Sequence, residues 1–358
     1  MNKRAITLYD VAREAGVSYQ TVSRVINQSA NVTHATRQRV LQAINQLHYV
    51  PNKVAQQLAG KLSRTLGLVT ISLALHAPSQ IAAAVKARAS EEHYNTVISM
   101  VDSLQPQAIH DAIKQLLAQR VDGIIINLPL SNALAASLSQ LAPQIPMLFN
   151  DVSPTCTEYY VIFDPNRGSY LTIDHLVSLG HREIILLTGP QDSISATLRA
   201  DSARDQLSHH QLVPVLTLEG DWSAKSGFDA ITSAIVQKTR FTAVVVANDQ
   251  MALGALRALA EAGFAVPEDV SVTGYDDTSD SAFFTPPLTT VQQNFSRLGQ
   301  VSVEQLLRLI AGATDCQHIL PISLIERETV APAQDNRPSI QQLARQLKKL
   351  AIQLERSP

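Results

Sequence analysis

The sequence predicts an α/β protein in three parts: a small all-α head built on a helix-turn-helix, a large body of parallel sheets, and a C-terminal helix with a coiled-coil seam. Three observations carry that expectation. The first 64 residues hold nine basic groups and two acidic ones, a local balance of +7 that leaves −9 for the rest of the chain. From Leu66 onward, short β-branched runs alternate with helical stretches, as in parallel α/β sheets. Near the end, Ile340, Leu343, Leu347, Leu350 and Leu354 recur at steps of three and four residues, the a/d seam of a short coiled coil. With 358 residues and 45% hydrophobic content, the chain can bury a sizeable core and divides into two or three domains.

Composition removes several classes at once. Cys156 and Cys316 are the only cysteines, too few for a disulfide framework or a metal cluster. The longest apolar run, "LGLVTISLAL" (66–75), is short and interrupted by Thr70 and Ser72, and no charged n-region leads into an apolar stretch at the start. The expectation is a reduced, cytoplasmic chain without a membrane span. The concentrated positive charge in the head points to a polyanion.

In the head, "LYDVAREAGVSYQTVSRVINQ" reads as two short helices around a tight turn. Leu8, Val11, Ala12 and Ala15 share one helical face. Gly16 supplies the freedom in φ that a sharp turn needs, and Ser18 is placed to cap the next helix. At about 100° per residue, Val22, Val25 and Ile26 fall on one edge of that second helix. Tyr19, Gln20, Ser23, Arg24 and Asn27 fall on the opposite edge. A third helix, from Thr33 or His34 to Leu47, brings Val40, Ile44 and Leu47 to close a miniature core. A merely solvated face would favour Lys and Glu, which are good helix formers. Tyr, Gln, Ser, Arg and Asn are the types that reach base edges and phosphates, so the geometry points to DNA in the major groove.

The segment "PNKVAQQLAG" (51–60) opens with Pro51 and Asn52, a helix start, and closes on Gly60, a helix stop. By length alone it is an ordinary linker, well below the roughly 12–15 residues a helix needs to persist alone in water. Against that, Val54, Ala55, Leu58 and Ala59 present an apolar stripe that a linker does not need.

In the body, the strand candidates are "LGLVTISL", "TVISMV", "GIIINL", "MLFND", "EIILLTG", "PVLTLEG", "AVVVAND" and "SVTGYD". So long a stretch suits two similar lobes. Ligands in open parallel sheets bind beyond the carboxyl ends of strands. Asn127, Asp151, Asn248 and Asp276 each stand at such an end. Any one of them reads better as a helix N-cap, but four planar hydrogen-bonding groups at four strand ends suit a ligand rich in hydroxyls.

After the polar, proline-containing "PAQDNRPS", the C-terminal seam is too brief to fold alone and must dock, either on its own body or on other copies of itself.

The stretch "TLYDVAREAGVSYQTVSRVINQ", the following "YVPNKVAQQLAGK", and "SLALHAPSQI", "EGDWSA", "VANDQMALGA", "GYDDT" and "PPLTT" together resemble the LacI/GalR family of transcriptional repressors over nearly the whole chain. The resemblance implies an α/β architecture with a helix-turn-helix headpiece (1–50), a hinge helix and linker (51–64), and a two-lobed core (65–331) like the periplasmic binding proteins. It further implies a linker (332–339) and a tetramerisation helix (340–358). Lobe 1 would take about 65–163 and 294–322, and lobe 2 about 164–293 and 323–331, with three crossovers between them. Tyr19, Gln20 and Arg24 would read operator bases, while Thr21, Ser23, Asn27 and Asn31 would hold phosphates and set the register. The Tyr-Gln pair implies a lac-like operator. In the hinge, Asn52, Ala55, Gln56 and Leu58 would meet the minor groove, with Leu58 as the wedge.

Arg199, Trp222 and Ser195 are implied members of a sugar pocket. Leu75, Ala77, Pro78 and Ile81 are implied around the same ligand, as are Phe163, Gln293 and Phe295; core packing explains the apolar ones equally well. Asn150 departs from the pattern, standing where lac-type members carry leucine, which puts sugar affinity or preference in question.

The implied function is repression of a lac-type operon on double-stranded operator DNA, relieved by a galactoside inducer, by homodimers that pair into homotetramers. No cofactor and no metal is implied. An enzyme would need a signature that is absent: there is no G-x-x-x-x-G-K-[ST], no G-x-G-x-x-G after a strand, no H-E-x-x-H and no G-x-S-x-G. His181, His209 and His210 lack ligand spacing. A sugar-transport protein would need an export signal and would leave the basic head unexplained.

Overall fold

In the computed structural model, residues 6–26, 31–49 and 62–333 are described, and the chain divides into two compact units after Ser63. Asn27, the hinge residues Asn52, Ala55, Gln56 and Leu58, and the seam residues Ile340, Leu343, Leu347, Leu350 and Leu354 lie outside the described residues.

The first unit holds α1 (Leu8–Ala15), α2 (Tyr19–Ile26) and α3 (His34–Gln46). The Thr7 N–H and hydroxyl both donate to the Asp10 carboxylate, at 2.9 and 2.7 Å, which fixes the start of α1. Gly16 takes φ 62° and ends the helix, a left-handed turn that a Cβ would strain. Ser18 Oγ then accepts from Thr21 N–H at 3.2 Å and starts α2. Val11, Val22 and Val40 are fully buried between the helices. Ile44 and Leu47 are half-buried, and Ala43 and Tyr49 complete the core.

The second unit contains two six-stranded sheets. In the first, β1 (Thr65–Thr70) and β3 (Gly123–Asn127) occupy the middle, flanked by β2 (Asn95–Met100) on one side. On the other side come β4 (Met147–Phe149), β5 (Tyr160–Phe163) and β11 (Gln317–Leu320). One face is covered by α5 (Pro106–Ala118) and α6 (Asn132–Leu141), the other by α4 (His76–Glu91) and α11 (Phe295–Ile310). The second sheet runs β12 (Ser323–Ile325), β10 (Thr289–Gln292), β9 (Ser271–Asp276), β8 (Ala243–Val246), β6 (Ile184–Thr188), β7 (Leu216–Glu219). It lies between α7 (Arg167–Ser178) with α8 (Ile194–His209) and α9 (Ala224–Val236) with α10 (Asp249–Ala262). Burial on both faces explains why β1, β3 and β9 are closed to solvent along their whole lengths. A Cβ on Gly254 would strike the Ala224 carbonyl, so α10 lies directly on the backbone of α9.

The chain passes from one sheet to the other three times, after β5, after β10 and after β11. These passages make the two lobes. The expected parallel sheets are present, with one edge strand reversed: β12 pairs antiparallel to β10. The reason is directional. Strand β11 runs parallel to β5 and leaves the first lobe at the end where Phe163 sits, so β12 enters the second lobe from the cleft and must run away from it. Among the described residues, no helix is long and apolar enough to cross a membrane.

Candidate functional site

The carboxyl ends of both sheets face one cavity of about 160 Å³ between the lobes. Every residue proposed for the pocket from sequence lines it. The first lobe supplies Leu75, Ala77, Pro78 and Ile81 from the start of α4, and Asn127, Asn150, Asp151 and Phe163 from strand ends. The second lobe supplies Ser195, Arg199, Trp222, Asn248 and Asp276, and the passage after β10 adds Gln293 and Phe295. The sequence missed His76, Ser193 and Gln250 among the polar wall and Ile71, Leu198 and Leu298 among the apolar wall. It also missed Tyr275, whose only signal was an aromatic beside Asp276 at a strand end.

Arg199 organises the second lobe's side. It projects from α8, and its guanidinium donates to Ala247 O at 2.7 Å and to Gln293 Oε1 at 3.1 Å. The Asp276 carboxylate is 3.8 Å away. The Tyr275 ring lies under the guanidinium at 3.9 Å from its centroid, and the Trp222 ring stands at 5.9 Å. The cation is thereby held in place in the wall of the cavity.

Three of the four strand-end groups have a defined local role. Asn248 does cap a helix: its Oδ1 accepts from Met251 N–H at 2.9 Å, and its amide donates to Trp222 O at 3.1 Å. Asn127 donates to Thr70 Oγ1 at 3.3 Å. Asp151 accepts from Ser195 Oγ at 3.2 Å, a hydrogen bond that spans the two lobes. Asp276 stands instead at φ 118° and Trp222 at φ 75°, left-handed conformations that cost a side-chain-bearing residue energy and gather at functional sites.

Burial sets the ionisation of the site. Asp276 is pushed up to about 8, chiefly by desolvation, and the nearby Arg199 offsets only part of it. Asp151 rises to about 6 by the same cause, opposed by Arg199 and by the Ser195 hydrogen bond. Tyr275 is raised to about 12 and stays a neutral phenol. Behind the wall, Asp249 accepts from Thr278 N–H, Ser281 Oγ and Thr290 Oγ1 at 2.8, 2.5 and 2.6 Å, tying the base of α10 to β10. Among the described residues, no group of three His, Cys, Asp or Glu side chains could hold a metal ion. The arrangement offers donors, acceptors and aromatic faces, and suits reversible binding of a polyhydroxylated ring.

On the first unit, Tyr19, Gln20, Arg24 and Asn31 are exposed, and Thr21 and Ser23 are half-buried. The Thr21 hydroxyl lies 2.9 Å from Ser18 Oγ. Tyr19 is stacked on Tyr9, with centroids 4.9 Å apart and planes 23° from parallel. Tyr9 was not among the expected residues; the stack holds the Tyr19 ring in one orientation on the surface.

Comparison with known proteins gives the geometry a context. Residues 7–52 match the lacI family of bacterial regulatory proteins, and residues 173–330 match the periplasmic binding protein-like domain. The chain is 48% identical to the lactose operon repressor of Escherichia coli (strain K12), over 99% of this chain and 98% of that protein. It is 44% identical to the lactose operon repressor of Klebsiella pneumoniae, over 98% and 100%. Among solved structures it resembles the lac repressor dimer bound to operator and the anti-inducer ONPF, with TM-score 0.88, 49% identity and coverage of 92% of this chain and 100% of that one.

Proposed function

The chain belongs to the lacI family of bacterial regulatory proteins, and from that premise we propose that it represses a lac-type operon by binding operator DNA and is released when a galactoside occupies the cavity between its lobes. The observation that carries this reading is the union, in one chain, of a helix-turn-helix with a polar outer face and a two-lobed cavity lined by Arg199, Asp276, Asn248 and Trp222. Adjacent sugar hydroxyls suit the planar Arg, Asp and Asn groups, and the Trp222 face suits the C–H side of the ring.

In this reading Gln20 and Arg24 reach base edges in the major groove, and Tyr19 is presented by its stack on Tyr9. Thr21, Ser23, Asn27 and Asn31 contact the backbone. A dimer sets two such helices on a pseudo-palindromic site, and the seam at 340–354 joins dimers into tetramers. Action on an operator places the protein in the cytoplasm.

Coupling runs through groups that belong to both lobes. Asp151 of the first lobe and Ser195 of the second share a hydrogen bond, and Arg199 holds Gln293 in a passage between lobes. A ligand that recruits Asp151 or Arg199 changes which lobe arrangement is favoured, by no more than its differential affinity for the two. The coupling is reciprocal, so operator weakens sugar binding by the same factor.

A gel-shift titration on a lac-type operator, with and without galactosides, tests head, cavity and coupling together. Retarded operator that returns to free DNA as galactoside is added is the expected result. No operator complex, or a complex indifferent to every galactoside, rejects the reading.

A further inference from the structure

Trp222 is the only tryptophan of the chain, and its half-buried ring lines the cavity. Behind that ring lies Gly189, the first residue after β6, which is buried and stands outside the cavity wall.

Glycine serves a fold in two ways, by adopting left-handed backbone and by permitting close approach. Gly189 does not hold left-handed backbone, so the second applies. A Cβ built on it would run into Cη2, Cζ2 and Cζ3 of Trp222, the last at 2.7 Å. Ordinary carbon contact is about 3.5–4.0 Å. The outer edge of the indole therefore lies directly on the Gly189 backbone.

Both backbones are tied in place. Gly220 N–H donates to Thr188 O at 2.9 Å. Gln191 donates to the Glu219 carboxylate through its N–H at 3.2 Å and its side-chain amide at 2.8 Å. These bonds hold the segment after β6 and the segment after β7 at a fixed spacing on either side of the contact. The Trp222 carbonyl is held in turn by the Asn248 amide at 3.1 Å. A side chain at residue 189 must displace the ring, and the open side is the cavity.

We propose that Gly189 positions the Trp222 ring: having no side chain, it seats the indole back against the protein and leaves the cavity deep enough for the C–H face of the sugar. Gly189 touches no ligand and acts only through Trp222. This role rests on the reading of the cavity as a galactoside site and names what sets the depth of that site.

The test compares Gly189→Ala, Trp222→Phe and the double variant with the unaltered chain, by calorimetry with methyl and ethyl β-galactosides and, where the tryptophan remains, by its fluorescence. Alanine at 189 pushes the ring roughly 1 Å into the cavity. Galactoside binding then weakens about 5- to 150-fold, the range for overpacking. The tryptophan emission shifts to the red and acrylamide quenches it more readily, since the ring leaves its protein seat for water. Phenylalanine lacks the outer carbons that the new methyl would strike. In the Trp222→Phe background the same alanine therefore changes affinity less than about 2-fold, and the two substitutions are not additive. An equal loss in both backgrounds, or an emission spectrum unchanged by Gly189→Ala, overturns the proposal and leaves the galactoside reading intact. If circular dichroism shows Gly189→Ala unfolded, the double variant must fold, and a double variant that is also unfolded overturns the proposal. Failure of both galactosides to bind the unaltered chain overturns the proposal and the galactoside reading together.

Discussion

Truncating Arg199 to alanine tests the cavity without touching the head. The side chain is 14% exposed and makes two charge-assisted hydrogen bonds, to Ala247 O and Gln293 Oε1, besides resting on Tyr275. In a dry core, loss of one partner of a buried ion pair costs about 3–5 kcal/mol because the other charge is stranded. That penalty does not apply here. Burial holds Asp276 at about 8, so near neutral pH the group left behind is mostly a protonated acid. Gln293 also lines the cavity, where water replaces the lost donor. The loss of stability is therefore about 2 kcal/mol, within the ordinary range for a single substitution. The loss of sugar affinity is larger in consequence. A guanidinium that holds adjacent hydroxyls contributes about 2–4 kcal/mol, so galactoside binding weakens roughly 30- to 1000-fold. Operator affinity, measured by gel shift without sugar, stays unchanged, and operator release shifts to correspondingly higher galactoside. Arg199→Lys keeps the charge and loses the fork, and falls between the two. Release at the usual galactoside concentration in Arg199→Ala would refute the placement of the sugar against this residue.

Three further outcomes are expected. Gln20→Ala and Arg24→Ala each remove about 1–3 kcal/mol of discrimination at the bases they contact while leaving the thermal midpoint of the head unchanged, since both side chains are exposed; competition across operator variants that shows undiminished preference counts against them. Leu343→Ala combined with Leu350→Ala yields dimers that still bind operator, and sedimentation of intact tetramers would remove the heptad assignment. For pH, ligand hydroxyls donating to Asp276 favour its carboxylate over the acid, so binding releases a proton while the unliganded group sits at about 8. Galactoside affinity then rises from pH 6 towards pH 8 and levels off above it. The same raised pKa means that the native state holds more protons than the unfolded chain between about 4 and 8, so this carboxyl's contribution to stability falls as pH rises through that window. A flat affinity profile across it, in buffers of differing ionisation enthalpy, would contradict the role given to Asp276.

How much of this was legible in sequence depended on burial. The central strands β1, β3 and β9 are covered on both faces, so their sequences are continuous apolar runs that stand out. The strands that went unread, β5, β10, β11 and β12, are only three or four residues long, and the two edge strands among them are half exposed and mix polar with apolar residues. Those same strands flank the passages between lobes, so the antiparallel β12 was invisible for the reason that its neighbours were. At the site, Asn127, Asp151 and Asp276 were legible because a planar polar group after an apolar run is conspicuous. Tyr275 was not, since a tyrosine inside "SVTGYD" reads as core, and only folding brings its ring under the Arg199 guanidinium. Asn248 shows the limit from the other side: its carbonyl is a helix cap and it also lines the cavity, so the two readings of such a residue were never exclusive.

The site's costs bear on how it switches. Asp276 and Trp222 hold left-handed backbone, and Asp151 and Asp276 are carboxyls in surroundings that favour their acid forms. Each is a local penalty that the rest of its lobe sustains, and each borders the cavity proposed to take a polyhydroxylated ligand. A ligand that relieves such penalties gains free energy only in the lobe arrangement where the groups converge on it. That is the differential affinity a switch requires: shifting a population from 1:99 to 99:1 needs about 5.5 kcal/mol of preference, more than one hydrogen bond supplies. The Asp151–Ser195 hydrogen bond is worth about 1 kcal/mol on its own and cannot carry the transition. Recruitment of Asp151, Arg199 and Asp276 together can, because Asp276 is buried, the other two are half-buried, and they belong to both sides of the cleft. Deleting the Ser195 hydroxyl should accordingly alter the midpoint of release only modestly, whereas deleting Arg199 abolishes it at ordinary sugar concentrations. The switch resides in the convergence of groups on the ligand, and the direct tie between the lobes is a minor part of it.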